Sequence, residues 1–189
     1  MSAMQDPFAL ATRTGLPDAL RVLLEEYPRE GWEGHANFDG LIRFWLERHL
    51  MFRRLQAMLL AETQRGLDRS RDPRQVASQI HRLAALFVNE LHGHHTVEDV
   101  HYFPALVRLE PRLERGFALL DADHHALDPM LHGLATVTDA ALSAPAGTTS
   151  EMGRLYAELA RFQTFLDRHL TDEEEIVVPV ILKHGAGLG

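Results

Sequence analysis

The sequence predicts an all-α fold: an up-down antiparallel four-helix bundle preceded by a short additional N-terminal helix. Apolar residues recur at helical spacing along four long segments, and no segment alternates apolar and polar residues as a half-buried strand does. The connections between these segments are short, which favours antiparallel neighbours. We therefore expect an N-terminal extension with a short helix over residues 1–34 and a four-helix domain over residues 35–189.

The N-terminal third of the chain contains the short helix and the first long helix. The short helix is predicted over residues 16–27, because a proline and a glycine follow closely. The first long helix is predicted to run to about residue 65, with Asn37 or Asp39 as its N-terminal cap. His49 lies on its apolar stripe. A cluster of glycine, aspartate and proline residues then predicts a turn.

The second long helix is predicted over residues 73–109. Its apolar stripe passes through Leu91, Glu98 and Ala105. Because Pro104 has no backbone N–H group, it is expected to kink or weaken the last turns of this helix.

The third and fourth long helices fill the C-terminal part of the chain. Pro111 opens the third helix, since proline fits the first turn of a helix. Residues 143–150 form the clearest loop, rich in serine, threonine, proline and glycine. The fourth helix is predicted over residues 151–183.

The composition excludes several classes of function. The chain has 19 Lys and Arg residues against 27 Asp and Glu residues, a formal net charge of −8, which argues against a nucleic-acid partner. The absence of cysteine excludes disulfides, thiolate metal sites and thiol nucleophiles. No apolar run is long enough to span a membrane, and the N-terminus lacks a basic-then-apolar signal, so we expect a cytoplasmic protein.

Histidine is the unusual component, because 12 of the 189 residues are histidines, about three times ordinary usage. Each of the four long predicted helices places one histidine on its apolar stripe. Two of these histidines are followed one turn later by a glutamate. The residues concerned are His49, His94 with Glu98, His124, and His169 with Glu173.

These His–Glu pairs indicate a buried metal ion. Side chains four residues apart on a helix lie about 40° apart around the axis and about 6 Å apart along it, so both can face one ion. A carboxylate buried among apolar side chains is costly unless a counter-charge compensates it. One such pair is commonly a solvated contact on a helix surface. Its repetition on two helices favours a metal site, and imidazole with carboxylate suits iron, manganese or zinc.

Four segments of the chain resemble the metal-binding segments of hemerythrin-like, or HHE cation-binding, domains. HHTVEDVHYFP (94–104) and HLTDEEEIVVP (169–179) resemble the two glutamate-bearing motifs, while HLMFRRL (49–55) and DHHALD (123–128) are similar to the other two histidine segments. The resemblance implies a non-haem centre of two iron ions, oxo- or hydroxo-bridged, with zinc or manganese as substitute ions. The ligands that it implies are His49, His94, Glu98, His124, His169 and Glu173.

One part of this ligand set differs from the family pattern. Relatives supply two histidines four residues apart from the third helix, whereas here His124 is followed at that spacing by Asp128. Either Asp128 or His132 supplies a further ligand, or one iron keeps a vacant or water-filled position. His125 competes with His124 for the third-helix role, and alignment with the apolar stripe favours His124.

The polar neighbours of the predicted ligands receive less specific interpretations. His92 and His95 flank His94 and are expected to lie outside the ligand set or on the surface. The acidic run over residues 172–175 is expected to face solvent, except at Glu173.

The predicted ligand set favours reversible binding over demanding oxidation. Two-iron oxidases typically place four carboxylates and two histidines around the ions, whereas this sequence offers about four histidines and two carboxylates. Fewer anionic ligands stabilise high-valent iron less well. We therefore expect a two-iron protein that binds dioxygen, nitric oxide or peroxide, in oxygen, redox or nitric oxide sensing, stress defence or iron handling.

Two alternatives belong to other functional classes. The first is a two-iron oxidoreductase, either a peroxidase or a nitric-oxide-processing enzyme. His101 and Tyr102 lie one turn beyond Glu98, where one of them would line the pocket, hydrogen-bond a bound oxygen species or act as an acid–base group. The second is a regulatory metal-binding module whose N-terminal segment contacts a protein partner that the sequence does not identify.

Overall fold

A computed structural model of the chain describes residues 7–38, 40–145 and 148–185. Within these ranges the regular structure is entirely helical and contains no strand, which confirms the all-α prediction. The α-helices are α1 (Val22–Glu26), α2 (Gly40–Leu67), α3 (Pro73–Val97), α4 (Phe103–Leu109), α5 (Glu114–Ser143) and α6 (Ser150–His184). None of them, in the described part of the chain, is long and apolar enough to cross a membrane.

The predicted N-terminal helix is shorter than expected and is flanked by two 3-10 turns. The turns cover Asp18–Leu20 and Arg29–Gly34, on either side of α1. The side-chain amide of Asn37, one of the two predicted caps, donates a hydrogen bond of 2.7 Å to the main-chain carbonyl of Leu182. The alternative cap, Asp39, lies outside the described residues.

A single π-helical turn over Glu98–Tyr102 separates α3 from α4. At the start of α4, the first N–H group donates to the carbonyl of Glu98, five residues earlier, rather than four. Pro104 follows directly, as expected of a residue that weakens a helix. A π turn holds one residue more than an α turn, so it rotates the following residues around the helix axis. The apolar stripe predicted beyond it is therefore wrong by one position: Leu106 is fully buried, and Ala105 only partly.

Residue contacts divide the chain into two compact units. Unit 1 contains residues 1–49, 95–126 and 167–189, and unit 2 contains residues 50–94 and 127–166. The four long helices α2, α3, α5 and α6 each contribute residues to both units.

The apolar core of unit 1 includes residues from the segment before α2. Trp32 is buried there, and its indole N–H donates to the main-chain carbonyl of Tyr27 at 2.8 Å. The same cluster contains Leu16, Leu20 and Leu23 together with the C-terminal turns of α6. The segment that the sequence predicts as an extension is therefore part of this core.

The core of unit 2 is built from apolar side chains of the long helices. Phe87 and Phe162 are fully buried and pack edge to face, with ring centroids 5.8 Å apart. Gln56 is also buried, and its amide donates to the main-chain carbonyl of Leu159 at 2.6 Å.

Candidate metal centre

Unit 1 buries a set of histidines and glutamates that come from five different helical elements. Their side chains are at most 3% exposed, which is unusual for ionisable groups without a counter-charge. The set consists of His49 on α2, His95 on α3, Glu98 at the start of the π turn, His124 on α5, and His169 and Glu173 on α6.

Two groups of side chains offer ligand atoms that lie within 4.8 Å of one another. The first group is His95, His124 and His169, and the second is His49, His94, Glu98 and Glu173. The structure thus brings together all six ligands expected from the sequence, and adds His95.

Three histidines each point one ring nitrogen, Nε2, at one of the two glutamates. The Nε2 atom of His49 lies 3.2 Å from Oε1 of Glu173, and the Nε2 atom of His169 lies 3.4 Å from Oε2 of the same residue. The Nε2 atom of His124 lies 3.6 Å from Oε2 of Glu98. Two ligand atoms that share one ion at about 2.1 Å and a right angle are about 3 Å apart, so these spacings fit a bound metal.

The outer faces of the same histidines are held by other carboxylates. The Nδ1 atom of His49 lies 3.1 Å from Oε1 of Glu174, and the Nδ1 atom of His124 lies 2.7 Å from Oδ1 of Asp99.

The Nδ1 atom of His169 lies 3.3 Å from Oδ2 of Asp123. A carboxylate can only accept a hydrogen bond, so in the neutral imidazole it fixes the proton on Nδ1 and leaves the Nε2 lone pair pointing inward. This carboxylate–histidine arrangement is the one that orients imidazoles toward metals.

Two of these inward nitrogen atoms have no hydrogen bond to any residue within the described ranges. They are Nε2 of His124 and Nε2 of His169, and both are buried away from solvent. A buried polar atom without a hydrogen bond is costly. A metal ion would satisfy both atoms, which supports the fit of this site to a cation.

The electrostatics of the site also favour a positive charge among the carboxylates. Burial raises the pKa of Glu98, and the negative charge of Glu173 raises it further. This pKa is therefore well above the ordinary value of a glutamate. Burial opposes a charged imidazole at His49, but the charges and hydrogen bonds of Glu173 and Glu174 outweigh it and raise the pKa of His49.

His169 shows the same effect more strongly. Its pKa is raised to about 9, since Asp123 and Glu173 more than compensate the opposing effect of burial. Without a metal, these carboxylates favour the protonated imidazole of His169. A metal ion would compete with that proton for the same nitrogen atom.

The third-helix alternatives separate clearly in space. His124 is buried, whereas the His125 side chain is 76% exposed and its Nδ1 contacts the Asp121 carbonyl. Asp128 lies 3.6 Å from His92 on the surface of unit 2, and His132 is also exposed. None of these alternatives belongs to either group of ligand atoms within the described chain.

The surface alternative expected for His95 is wrong, because this residue is buried against two predicted ligands. Its ring stacks on His124 with centroids 4.0 Å apart and meets His169 edge-on at 5.3 Å. A sequence signal existed, since His95 follows Leu91 by four residues and precedes Glu98 by three, positions that share a helix face.

The expectation for the acidic run is also wrong. Asp172 is fully buried and Glu174 is only 4% exposed. Residues before α2 cover this side of α6: Arg13 contacts Asp172, and Arg29 contacts Glu174.

The pocket residues predicted beyond Glu98 lie in different environments. The His101 side chain is exposed, whereas Tyr102 is partly buried with its ring edge-on to Trp45 at 5.0 Å. Trp45 itself donates its indole N–H to Oε1 of Glu173, a contact that the sequence did not reveal. Trp45 is therefore part of the apolar core of unit 1 and also contacts Glu173, a candidate ligand.

Comparison with known proteins gives one result. The family model described as "Hemerythrin HHE cation binding domain" matches residues 40–181, which is most of the chain. No curated protein and no solved structure matches the chain. The matched family indicates a metal-binding protein, and the buried His–Glu groups lie within the matched residues.

Proposed function

The chain belongs to the hemerythrin HHE cation-binding domain family, and on this premise we propose that it holds two iron ions that bind dioxygen or a related small ligand. Nitric oxide and peroxide are the related ligands. The proposed roles are oxygen, redox or nitric oxide sensing, stress defence and iron handling.

The orientation of the three best-defined histidines carries this proposal. His49, His124 and His169 each place Nδ1 on a carboxylate and Nε2 toward Glu98 or Glu173. Chance burial of histidine does not require a carboxylate on one side of each ring and an inward nitrogen on the other. Histidines that bind metals typically have a hydrogen-bond acceptor on one ring nitrogen and turn the other toward the ion.

The two glutamates are suited to be shared between the ions. Glu173 presents Oε1 to His49 of one group and Oε2 to His169 of the other. Glu98 belongs to the group of His49 and also faces His124 of the other group. We assign both as bridging ligands.

The assigned ligands leave room for a small molecule. His95, His124 and His169 would offer three nitrogen atoms to one ion, and His49 and His94 would offer two to the other. With both carboxylates shared, five protein groups would hold the first ion and four the second. The smaller set leaves more room for a small molecule beside His49 and His94, and a redox-active iron pair would supply the affinity for a diatomic ligand when bound.

Apolar groups near the second ion favour a small, uncharged ligand. Phe52 is fully buried and its ring lies 5.1 Å from that of His94. Trp45 is also buried and contacts Glu173. Side chains of this kind exclude bulk water and leave little space for a large substrate.

Metal analysis together with an optical spectrum tests the proposal. Protein loaded with ferrous iron without oxygen should hold two iron ions per chain, and air or nitric oxide should change its absorption reversibly. His124→Ala removes a proposed ligand. Its matched control is His125→Ala, which removes the exposed neighbour. A wild-type chain that binds one iron ion or none, or equal loading of the two variants, contradicts the proposal. Turnover of added peroxide would favour the oxidoreductase instead.

A further inference from the structure

The residues before α2 lie outside the matched family domain and yet reach the carboxylates that hold two metal-facing histidines. We call residues 7–34 the N-terminal segment. Two of its arginines make these contacts, Arg13 to Asp123 and Arg29 to Glu174. Asp123 contacts His169, and Glu174 contacts His49.

The Arg13 contact is the more deeply buried of the two. The Arg13 side chain is 2% exposed. Its Nη1 atom donates to Oδ1 of Asp123 at 2.8 Å, and its Nη2 atom contacts Oδ2 of the same carboxylate. Such a two-point contact fixes the plane of the carboxylate as well as its position. The Oδ2 atom of Asp123 also faces Nδ1 of His169, at 3.3 Å.

A second aspartate anchors the same arginine. The Nε atom of Arg13 donates to Oδ2 of Asp172 at 2.7 Å. Asp172 also contacts Arg168, which donates to the main-chain carbonyl of Thr14 at 3.0 Å. Two arginines and two aspartates therefore balance in charge. Although burial opposes ionisation of Asp123, the hydrogen bonds from Arg13 and His169 lower its pKa.

The apolar packing beneath this part of the segment is incomplete. A cavity of about 490 Å³ lies between Phe8, Leu10 and Leu20 on one side and Leu119 and Ala122 of α5 on the other. Leu16 and Leu20 are nevertheless buried in the core of unit 1. The Arg13 contacts therefore add to this apolar packing in attaching residues 8–20.

Arg29 forms a similar but more exposed connection. Its Nη1 atom donates to Oε2 of Glu174 at 2.9 Å, while Oε1 of Glu174 faces Nδ1 of His49 at 3.1 Å. The guanidinium also stacks on Trp32, 4.6 Å from the ring centroid. Because Arg29 is 44% exposed, its contact is weaker than that of Arg13.

We propose that Arg13 and Arg29 are positioning residues of the metal centre, so that docking of the N-terminal segment and retention of the two ions are coupled. Arg13 acts through Asp123 on His169 and hence on the ion of the three-histidine group. Arg29 acts through Glu174 on His49 and hence on the other ion. This inference rests on the proposed two-iron centre.

Coupling between two binding events is reciprocal. If the docked segment strengthens metal binding, bound metal must also strengthen docking of the segment. Amide hydrogen exchange over residues 8–20 should therefore slow when iron is bound. Equal exchange with and without iron would contradict the coupling.

The central experiment measures iron release from the full-length protein. Arg13→Met, Arg29→Met and Arg21→Met are each loaded with ferrous iron without oxygen and mixed with a colorimetric chelator. Arg21 lies in the same segment, has a 47% exposed side chain and contacts Asp18 rather than the metal centre, so its replacement is the matched control. Removing a residue that orients a metal ligand typically weakens binding 10–100-fold. We expect about that effect on one iron ion in Arg13→Met, a smaller effect on the other in Arg29→Met, and none in Arg21→Met.

A second variant guards against loss of folding. Removing Arg13 alone leaves two buried aspartates with less counter-charge, which is destabilising. The double variant Arg13→Met/Asp172→Asn removes one charge of each sign and still leaves Asp123 without its arginine. It should release iron as fast as Arg13→Met.

A spectroscopic measurement distinguishes positioning from general stability. In metal-free protein labelled with nitrogen-15 histidine, the ring signals of His169 report which nitrogen carries the proton and what it contacts. They should change in Arg13→Met and stay unchanged in Arg21→Met. Unchanged His169 signals together with wild-type iron release would overturn the proposed role of Arg13 and leave the two-iron centre standing. A wild-type chain that takes up no iron would instead remove the two-iron centre and the coupling with it.

Discussion

The buried polar side chains of the two units have different kinds of partners. In unit 2 the buried hydroxyls of Thr63 and Thr138 donate to main-chain carbonyls four residues earlier in their own helices, each at 2.8 Å. Its one buried carboxylate among the described residues, Glu62, meets half-exposed arginines at the surface. In unit 1 buried imidazoles, carboxylates and a guanidinium contact one another.

The difference shows where the described chain concentrates its buried ionisable groups. A hydroxyl bonded to its own helix needs no partner elsewhere and carries no charge. A buried carboxylate needs a specific counter-charge. Removing either partner leaves the other as an uncompensated buried charge. Unit 1 buries carboxylates at Glu98 and Glu173, where burial and then the negative charge of Glu173 raise the pKa of Glu98. The cation of the proposed centre would compensate the negative charge of both carboxylates.

The largest effect is expected from Glu173, the residue that faces both groups. Glu173→Ala should abolish stable binding of both iron ions, because a shared ligand belongs to both coordination shells. Thr138→Val in unit 2 removes a buried hydroxyl without touching the site and should leave two ions bound. Iron content per folded chain, after desalting, measures the effect. If Glu173→Ala keeps both ions, the assignment of a bridge is wrong.

A smaller effect is expected from His95, which belongs to one group only. His95→Ala should remove or weaken one ion of the two, since it takes one nitrogen from the three-histidine group. His92→Ala is the control, because the His92 side chain is 60% exposed and three residues away on the same helix. Titration with ferrous iron should give two sites for the control and one tight site for His95→Ala. Two unchanged sites would exclude His95 as a ligand.

Glu174 and Glu175 provide a comparison within one acidic run. Glu174 orients His49, so Glu174→Ala should weaken one ion about 10–100-fold without changing the number of sites. Glu175 is less buried and lies outside both groups, so Glu175→Ala should leave the affinity unchanged. Chelator competition measures both. Equal affinities would show that the carboxylate on Nδ1 of His49 has no influence on the metal.

The smallest effect concerns pH and the metal-free protein. The folded-state pKa of His169 is about 9, above its unfolded value of about 6.5. A raised imidazole pKa stabilises the fold fully below the unfolded value, and this contribution is lost as the pH rises through the folded value. The Tm of metal-free protein should therefore fall between about pH 7 and 9, and His169→Gln should flatten that slope. Thermal unfolding followed by circular dichroism tests this, and an equal slope in the variant would refute it.

Much of the fold follows from local sequence patterns. The long helices begin and end within a few residues of their predicted bounds, because proline, glycine and apolar spacing act locally. The six predicted ligands also gather, since a stripe position decides which way a side chain points. Whether these six residues bind a metal is tested by the measurement of iron content.

The residues that the sequence misjudged are those whose surroundings come from distant parts of the chain. A solvated outer face was expected for Asp172 and Glu174, but the N-terminal segment covers that face of α6. Arg13 lies 110 residues from Asp123 in sequence, and no local pattern records such a pairing. The surface alternative for His95 failed because two neighbouring histidines share the apolar stripe of α3. His94 lies on one side of the centre of that stripe, and His95 lies on the other.

The π turn over Glu98–Tyr102 has a consequence for how this chain can change. It amounts to a one-residue insertion stored within a helix, placed between the ligand-bearing half and the half that packs the core of unit 1. The two halves therefore do not have to obey one common periodicity. Substitutions that adjust Phe103 and Leu106 to a different core can accumulate without turning Glu98 away from its partners.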